Sequence, residues 1–317
     1  MNPRLSGKIL FVFSDPGGAK PILSLIEQSR LDDYLVISDR TYSFYNNFKV
    51  QVLICDNNFE EFIDRFRPSL IFTGTSYRSD IEKKFISLAK SKNIPSISFI
   101  DHWTAIRKRF ENEAGDMVLP DYIWVIDNRA RQLCISQGIE KNKIVISGNP
   151  YHKWLLHWKP EISKKDFLEQ AGIVSEYSKL LLYGPDPLSN INGTGIYGFD
   201  EYSATKEIVD VFLENRRLSD KWQVIVLAHP NQDRKKLADS FSGCRNFSLL
   251  KEEVNVNHAI YFADIVMGFF SSLLIEADIM NKPILRFFSK PLAKDPLDEL
   301  SIGKIIDKAL LLKELSI

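Results

Sequence analysis

The chain is poor in the residues that build covalent or metallic frameworks. It has three cysteines in 317 residues. Cys55, Cys134 and Cys244 are far apart and form no CxxC pair, so neither a disulfide framework nor a zinc site is expected, and a reducing cytoplasm suits them. Long apolar runs are missing too. Nothing approaches the roughly 18 consecutive apolar residues that a transmembrane helix requires, and the opening MNPRLSGKILFVF reads as a strand rather than a signal peptide. Charge of one sign is also lacking. The 41 Lys and Arg residues balance 41 Asp and Glu, so no global field draws the chain to nucleic acid. An anionic ligand must therefore be held by local geometry. The loop after the first candidate strand, Ser14–Ala19, is not a GxGxxG, and there is no DxD pair at a suitable strand end, so no catalytic metal is expected.

What is present alternates. A length of 317 residues exceeds what one core usually serves, which points to two domains. Candidate strands lie at 8–14, 34–38, 51–55, 69–73, 96–100, 122–126 and 143–147, with helix-like stretches at 19–29, 58–66, 79–92 and 128–137 between them. The strands are continuously apolar, as in a sheet covered on both faces, and strand–helix–strand repetition implies a doubly wound parallel sheet. The pattern restarts after a Trp-rich helix near 151–158 and a polar linker, Lys159-Pro160-Glu161. Strands follow at 179–183, 222–228, 247–250, 265–269 and 283–287, and helices fit at 202–217, 232–241, 255–263, 271–281 and 302–315. The expected fold is α/β, with two Rossmann-like doubly wound domains, 1–158 and 159–317, facing a cleft.

In such sheets ligands bind beyond the carboxyl ends of the strands, so the residues that follow each strand matter most. Ser14-Asp15-Pro16-Gly17-Gly18 opens a helix; Gly17 and Gly18 either let backbone approach a ligand or simply make a turn. Asp101-His102-Trp103 places an acid, an imidazole and an indole after an apolar strand. Asp101 or His102 can take a proton from a hydroxyl, and Trp103 can stack on a sugar; the plainer account is a cap and a structural hydrogen bond. In the second half His229 is followed by Pro230, which stops the strand and sets the histidine at its mouth. Ser271 and Ser272 begin a helix, where they cap it or offer hydroxyls and backbone N–H groups to a phosphate. Glu276, one turn on, suits ribose hydroxyls, or else faces solvent. Gly184-Pro185-Asp186 sits where a donor base or pyrophosphate can meet backbone, and the polar stretch 187–201 reads as a mobile loop or surface excursion.

Together Leu227-Ala228-His229-Pro230 and Gly268-Phe269-Phe270-Ser271-Ser272, with Glu276-Ala277 and Asn281-Lys282-Pro283, resemble the nucleotide-binding half of bacterial GT-B glycosyltransferases. The HP and SS pair is similar to that of sialyltransferases and Kdo transferases, which use CMP-activated sugars. The resemblance implies that His229, Ser271 and Ser272 hold the phosphate of a CMP- or UDP-linked donor and Glu276 its ribose; Pro230, Gly184, Gly17 and Gly18 are expected to complete the nucleotide-sugar site. It implies sugar transfer to a glycan or lipid-linked acceptor in surface polysaccharide synthesis, with Asp101, His102 or Asp15 as the base and no cofactor beyond the donor itself. Similar elements occur in UDP-GlcNAc 2-epimerases, which is the alternative; a non-catalytic module of the same architecture is another. The mixed basic and aromatic segments 106–110 and 151–158 suit either peripheral contact with the inner membrane surface or packing at a hinge.

Overall fold

The computed structural model describes residues 5–316 apart from 30, 56, 77, 174–176, 293, 294, 298 and 299. The chain divides into two compact units, Met1–His157 and Trp158–Ile317. Each is built on an all-parallel sheet with Rossmann-like winding. Unit 1 holds seven strands: β1 (Ile9–Phe13), β2 (Tyr34–Ser38), β3 (Leu53–Ile54), β4 (Leu70–Thr73), β5 (Ser96–Ile100), β6 (Tyr122–Val125) and β7 (Ile144–Ile146). Their order is β3-β2-β1-β4-β5-β6-β7. Unit 2 holds β8 (Lys179–Gly184), β9 (Trp222–Val226), β10 (Phe247–Leu249), β11 (Ile265–Gly268), β12 (Ile284–Phe287) and β13 (Lys304–Ile306), in the order β10-β9-β8-β11-β12-β13.

The order reverses between β1 and β4 in unit 1 and between β8 and β11 in unit 2, and ligand crevices of open sheets form at such points. The continuous apolar strands explain the rest. Along β8, Leu181 and Tyr183 join one core cluster while Leu180 and Leu182 join another, so each face is packed separately. In unit 1, Leu10 and Val12 pack with Ile37, Ile71 and Phe85, while Phe11 and Phe13 meet Phe72 and Tyr45 on the opposite face.

Several helices have plain local causes. Pro16 starts the helix Pro16–Gln28 where its missing N–H costs nothing. The helices Lys164–Ala171 and Glu201–Glu214 each begin with a reciprocal capping box, Ser163 with Asp166 and Asp200 with Ser203. The helix Pro150–His157, which carries Trp154, packs within unit 1 on Pro16–Gln28. Gln28 Nε2 donates to the Pro150 carbonyl (2.9 Å), Trp154 donates to Glu27 (2.8 Å), and Phe48 lies 4.9 Å from the Trp154 ring. Intramolecular packing thus accounts for these aromatic rings. Among the described residues no helix is long and apolar enough to cross a membrane.

The structure departs from the sequence pattern in four segments. The stretch expected as a helix over 302–315 is an edge strand, β13, followed by the helix Lys308–Leu315, because Asp307 caps a new helix by accepting from Leu310 N–H. The helices Lys164–Ala171 and Ile106–Phe110 were not expected at all. Residues 187–201, read as a loop, instead form the helical turns Leu188–Ile191 and Gly193–Tyr197, held down by buried Leu188 and Phe199.

Glycine pairs decide how closely loops approach. A Cβ on Gly74 would lie 2.9 Å from Gly18 Cα and 3.2 Å from Phe13 Cβ, so the start of the helix Pro16–Gln28 meets the end of β4 backbone to backbone. Gly74→Ala is expected to lower unfolding free energy by about 1–3 kcal/mol, the usual cost of overpacking, as read by urea denaturation. A variant as stable as the wild type would show that this contact relaxes freely.

Candidate functional site

In unit 1 the loops after β1, β4 and β5 converge. Asp15 accepts a short hydrogen bond from Ser76 Oγ (2.5 Å) and lies 3.5 Å from Arg40 Nη1. Asp101 is held by Arg109, whose Nη1 is 2.6 Å from Oδ1 and also donates to the carbonyl and hydroxyl of Thr75, each at 3.0 Å. Arg109 Nε donates to the Thr104 carbonyl (3.1 Å), so one buried guanidinium ties the β4 and β5 loops together. The other oxygen of Asp101 faces Gly17: a Cβ there would sit 2.1 Å from it. Asp15, Gly17, Gly18 and Asp101 are therefore neighbours, although they are up to 86 positions apart in the chain.

Some expected roles change. Asp101 caps no helix; Ala105, with φ 55°, precedes Ile106–Phe110, and Asp101 spends its near oxygen on Arg109. Trp103 donates to Asp127 (2.8 Å) and carries the Arg129 guanidinium 4.9 Å from its ring, so its indole is engaged by unit 1 rather than held open for a sugar. His102 lies beside Trp103, with Nδ1 3.0 Å from Thr104 Oγ1. The residue is exposed, yet neighbours cover enough of its ring that desolvation, opposed by Asp101 and aided by Arg109 and Arg129, lowers its pKa. It is neutral near pH 7 and able to accept a proton.

Glu82 was not singled out by its sequence. It is 2 % exposed, accepts from Ser14 N–H (3.0 Å), and its second oxygen has no hydrogen-bond partner. Burial pushes its carboxyl up to about 8, with Asp15 and Asp39 adding to the effect. The clue was available: Glu82 lies on the same helical stripe as buried Phe85 and Ile86. Arg109 carried the same signal, since Ile106, Arg109 and Phe110 form one buried face of a short basic helix.

In unit 2 the loops after β8, β9 and β11 are cross-tied. Asp186 accepts from Phe270 N–H (3.1 Å), joining the β8 and β11 loops. Gln232 donates to the Pro185 carbonyl (3.0 Å) and accepts from His229 N–H (2.6 Å), joining the β8 and β9 loops. Strand β9 ends at Val226, so Pro230 is not what fixes His229. Gln232 and Asn231 do so instead. Asn231 N–H donates to His229 Nδ1 (3.1 Å), which places the proton of the neutral ring on Nε2 as a donor. Pro230 is exposed beside it.

Ser271 stands at the N-cap of the helix Ser272–Ile279, but its side chain makes no capping bond; Oγ is buried and has no hydrogen-bond partner. Ser272 is exposed at the first helical position. Glu276 is only 7 % exposed, so the solvent-facing account is ruled out. Gly184 ends β8 where a Cβ would sit 2.3 Å from Leu273 Cδ2, so its place is explained by strand–helix packing. Arg286, another residue the sequence reading missed, is buried within β12; Nε donates to the Phe269 carbonyl (3.0 Å), and Nη1 and Nη2 grip Asp295, the former at 2.7 Å. A charged residue inside the apolar run Ile284–Phe287 was its signal. Among the described residues no three His, Cys, Asp or Glu side chains are placed to hold a metal ion.

No family model matches the chain, and no curated protein matches it. Solved structures do. UDP-GlcNAc 2-epimerase from Methanocaldococcus jannaschii is similar over 98 % of this chain and 92 % of its own, with TM-score 0.66 and 15 % identity. The Neisseria meningitidis enzyme, solved with UDP-GlcNAc bound, is similar over 98 % and 91 %, with TM-score 0.64 and 14 % identity. A Listeria monocytogenes protein described as a putative UDP-N-acetylglucosamine 2-epimerase is similar over 97 % and 87 %, with TM-score 0.66 and 13 % identity. The likeness establishes a GT-B-type fold. It also corrects the expectation of a glycosyltransferase nearest the CMP-sugar-using sialyltransferases and Kdo transferases: the similar structures named above are described as 2-epimerases, and similar structures solved with a nucleotide hold UDP or UDP-GlcNAc. HP and SS elements at strand mouths suit any nucleotide sugar, so they do not select the reaction.

The buried Glu82 gives a signed prediction. Its folded-state pKa, about 8, lies above the ordinary 4.5, so the folded chain holds this proton more tightly than the unfolded one. That stability is complete below about pH 4.5 and is lost as pH rises through 8, with a slope of up to about 1.4 kcal/mol per pH unit. Glu82→Gln, neutral at every pH, is expected to remove this part of the decline. Urea unfolding from pH 5 to 9 measures it; parallel curves for variant and wild type would mean that Glu82 is ionised in the fold.

Proposed function

We propose that this chain is a UDP-sugar enzyme of the 2-epimerase kind, inverting a stereocentre next to the anomeric carbon. The observation that carries the reading is the end-to-end likeness of both units to UDP-GlcNAc 2-epimerases, at 97–98 % of this chain. The unit 2 loops support it from the chemistry side. His229 Nε2–H, the Ser271 and Ser272 hydroxyls and the N–H groups opening the helix Ser272–Ile279 are donors suited to a diphosphate. Glu276 at the same helix is the candidate partner for ribose hydroxyls. This set needs no metal to offset the phosphate charge, and turnover is expected to survive EDTA.

Inverting a carbon that bears hydrogen requires that a proton leave one face and a proton return on the other. No acceptor substrate takes part. In unit 1, His102 is a neutral base, Asp101 is a carboxylate braced by Arg109, and Asp15 precedes the helix whose Gly17 faces Asp101. We assign the acid–base work to this group, with Gly17 and Gly18 permitting close approach of backbone.

Incubation with UDP-GlcNAc in D2O, followed by proton NMR, tests the reading. The expected result is appearance of the 2-epimer with deuterium at C2; a substrate that stays unlabelled and unchanged would sink it. His229→Ala is expected to weaken UDP-GlcNAc binding by about 1.5–3 kcal/mol, the loss of one charge-assisted hydrogen bond, seen by calorimetry. Asp101→Asn should bind as the wild type does yet turn over about 100-fold more slowly. Full activity in that variant would move the role to His102 or Asp15.

A further inference from the structure

Unit 2 places a carboxylate where an anion-binding site would be expected to exclude one. Asp186 Oδ2 accepts from the N–H of Phe270, the residue immediately before the N-cap Ser271. The same turn presents the buried, unpartnered Ser271 Oγ and leads into the first N–H groups of the helix Ser272–Ile279. Arg286 is committed through both terminal nitrogens to Asp295 and through Nε to the Phe269 carbonyl. Burial raises the Asp186 carboxyl to about 6, against the backbone N–H groups of Phe270 and Phe269 and the charge of Arg286, so above neutral pH it is mostly ionised.

A fixed negative charge beside a phosphate site weakens every phosphate ligand, and weakens it more for each charge the ligand carries. A sugar-linked diphosphate carries about two negative charges near neutral pH, whereas a free nucleoside diphosphate carries nearly three because its terminal phosphate ionises a second time near pH 6. We propose that Asp186 is a specificity residue that favours sugar-linked UDP over free UDP by repelling the extra charge of an unesterified terminal phosphate. The inference rests on the reading that unit 2 binds a UDP-sugar. It is distinct from a purely structural part for Asp186, because a hydrogen bond to Phe270 N–H needs an acceptor oxygen but no charge.

Asp186→Asn keeps such an oxygen and removes the charge. Calorimetric titration of the full chain with UDP and with UDP-GlcNAc at pH 7.5 is expected to show UDP bound roughly tenfold more tightly by the variant, with a smaller gain, roughly threefold, for UDP-GlcNAc. The ratio of the two affinities is the decisive quantity, since a structural role moves both ligands together. Asp186→Ser serves as the second variant if Asp186→Asn does not fold, and the same shift in ratio is expected. Both ligands bound, with the ratio unchanged in a folded variant, would overturn the charge filter and leave the UDP-sugar reading intact. A wild-type chain that binds neither ligand would overturn both.

Discussion

Burial of both faces of a parallel sheet is the constraint from which the rest follows. Such a sheet hides its strands between helices, so polar chemistry is pushed to the ends, and the helix N-termini gather it at the carboxyl ends. In both units the candidate site residues follow this rule, whereas Arg286, inside β12, breaks it. Asp15 follows β1, Asp101 follows β5, Asp186 follows β8, and Ser271 follows β11. The strands behind them are nearly all apolar, and their alternating side chains feed two separate cores per sheet. The loops are thus mounted on a rigid base, and what differs between proteins of this architecture is what those loops carry.

Loops at a strand end do not hold their shape unaided, and here buried polar side chains brace them. Arg109 binds four acceptor atoms across the β4 and β5 loops, and Gln232 and Asp186 staple the β8 loop to its two neighbours. Each is costly to desolvate, and each is compensated by hydrogen bonds of good length. Glu82 is the exception, since one carboxyl oxygen remains unmatched and the group answers by holding its proton. Asp186 makes a weaker version of the same response. Both carboxyls stand at the mouths of their sheets, where a change of charge bears most directly on a ligand.

The His-Pro and Ser-Ser elements illustrate how far a short motif reaches. They lie at the mouths of β9 and β11, where donors for a phosphate are geometrically favoured, and this much is independent of the reaction. Whether a sugar is transferred or inverted depends on acid–base groups that the motif itself does not contain. The glycosyltransferase reading extended a statement about ligand chemistry into one about reaction chemistry. The 2-epimerase likeness over nearly the whole chain replaces it.

The sequence by itself determined the alternation of strands and helices, because apolar runs and amphipathic periods are local properties of neighbouring residues. Eleven of the strands expected from it overlap β1 to β7 and β8 to β11 in the structure, and a twelfth overlaps β12. It also placed Asp101, His229 and Ser271 at strand ends, since each directly or closely follows an apolar run. It could not read β13, whose three residues share isoleucines at helix-like intervals with their surroundings. Nor could it pair Asp101 with Arg109 and Gly17, replace Pro230 by Gln232 as the support of His229, or bury Glu82 and Glu276. The pairings of Asp101 with Arg109 and of His229 with Gln232 lie within single strand-to-strand connections, but the approach of Asp101 to Gly17 arises from strand order. Crossover connections bring β1 beside β4 and β8 beside β11, so residues distant in the chain become neighbours only once the sheets are assembled. Composition and period govern which residues are hidden from water; only the assembled sheet decides which polar groups must then satisfy one another.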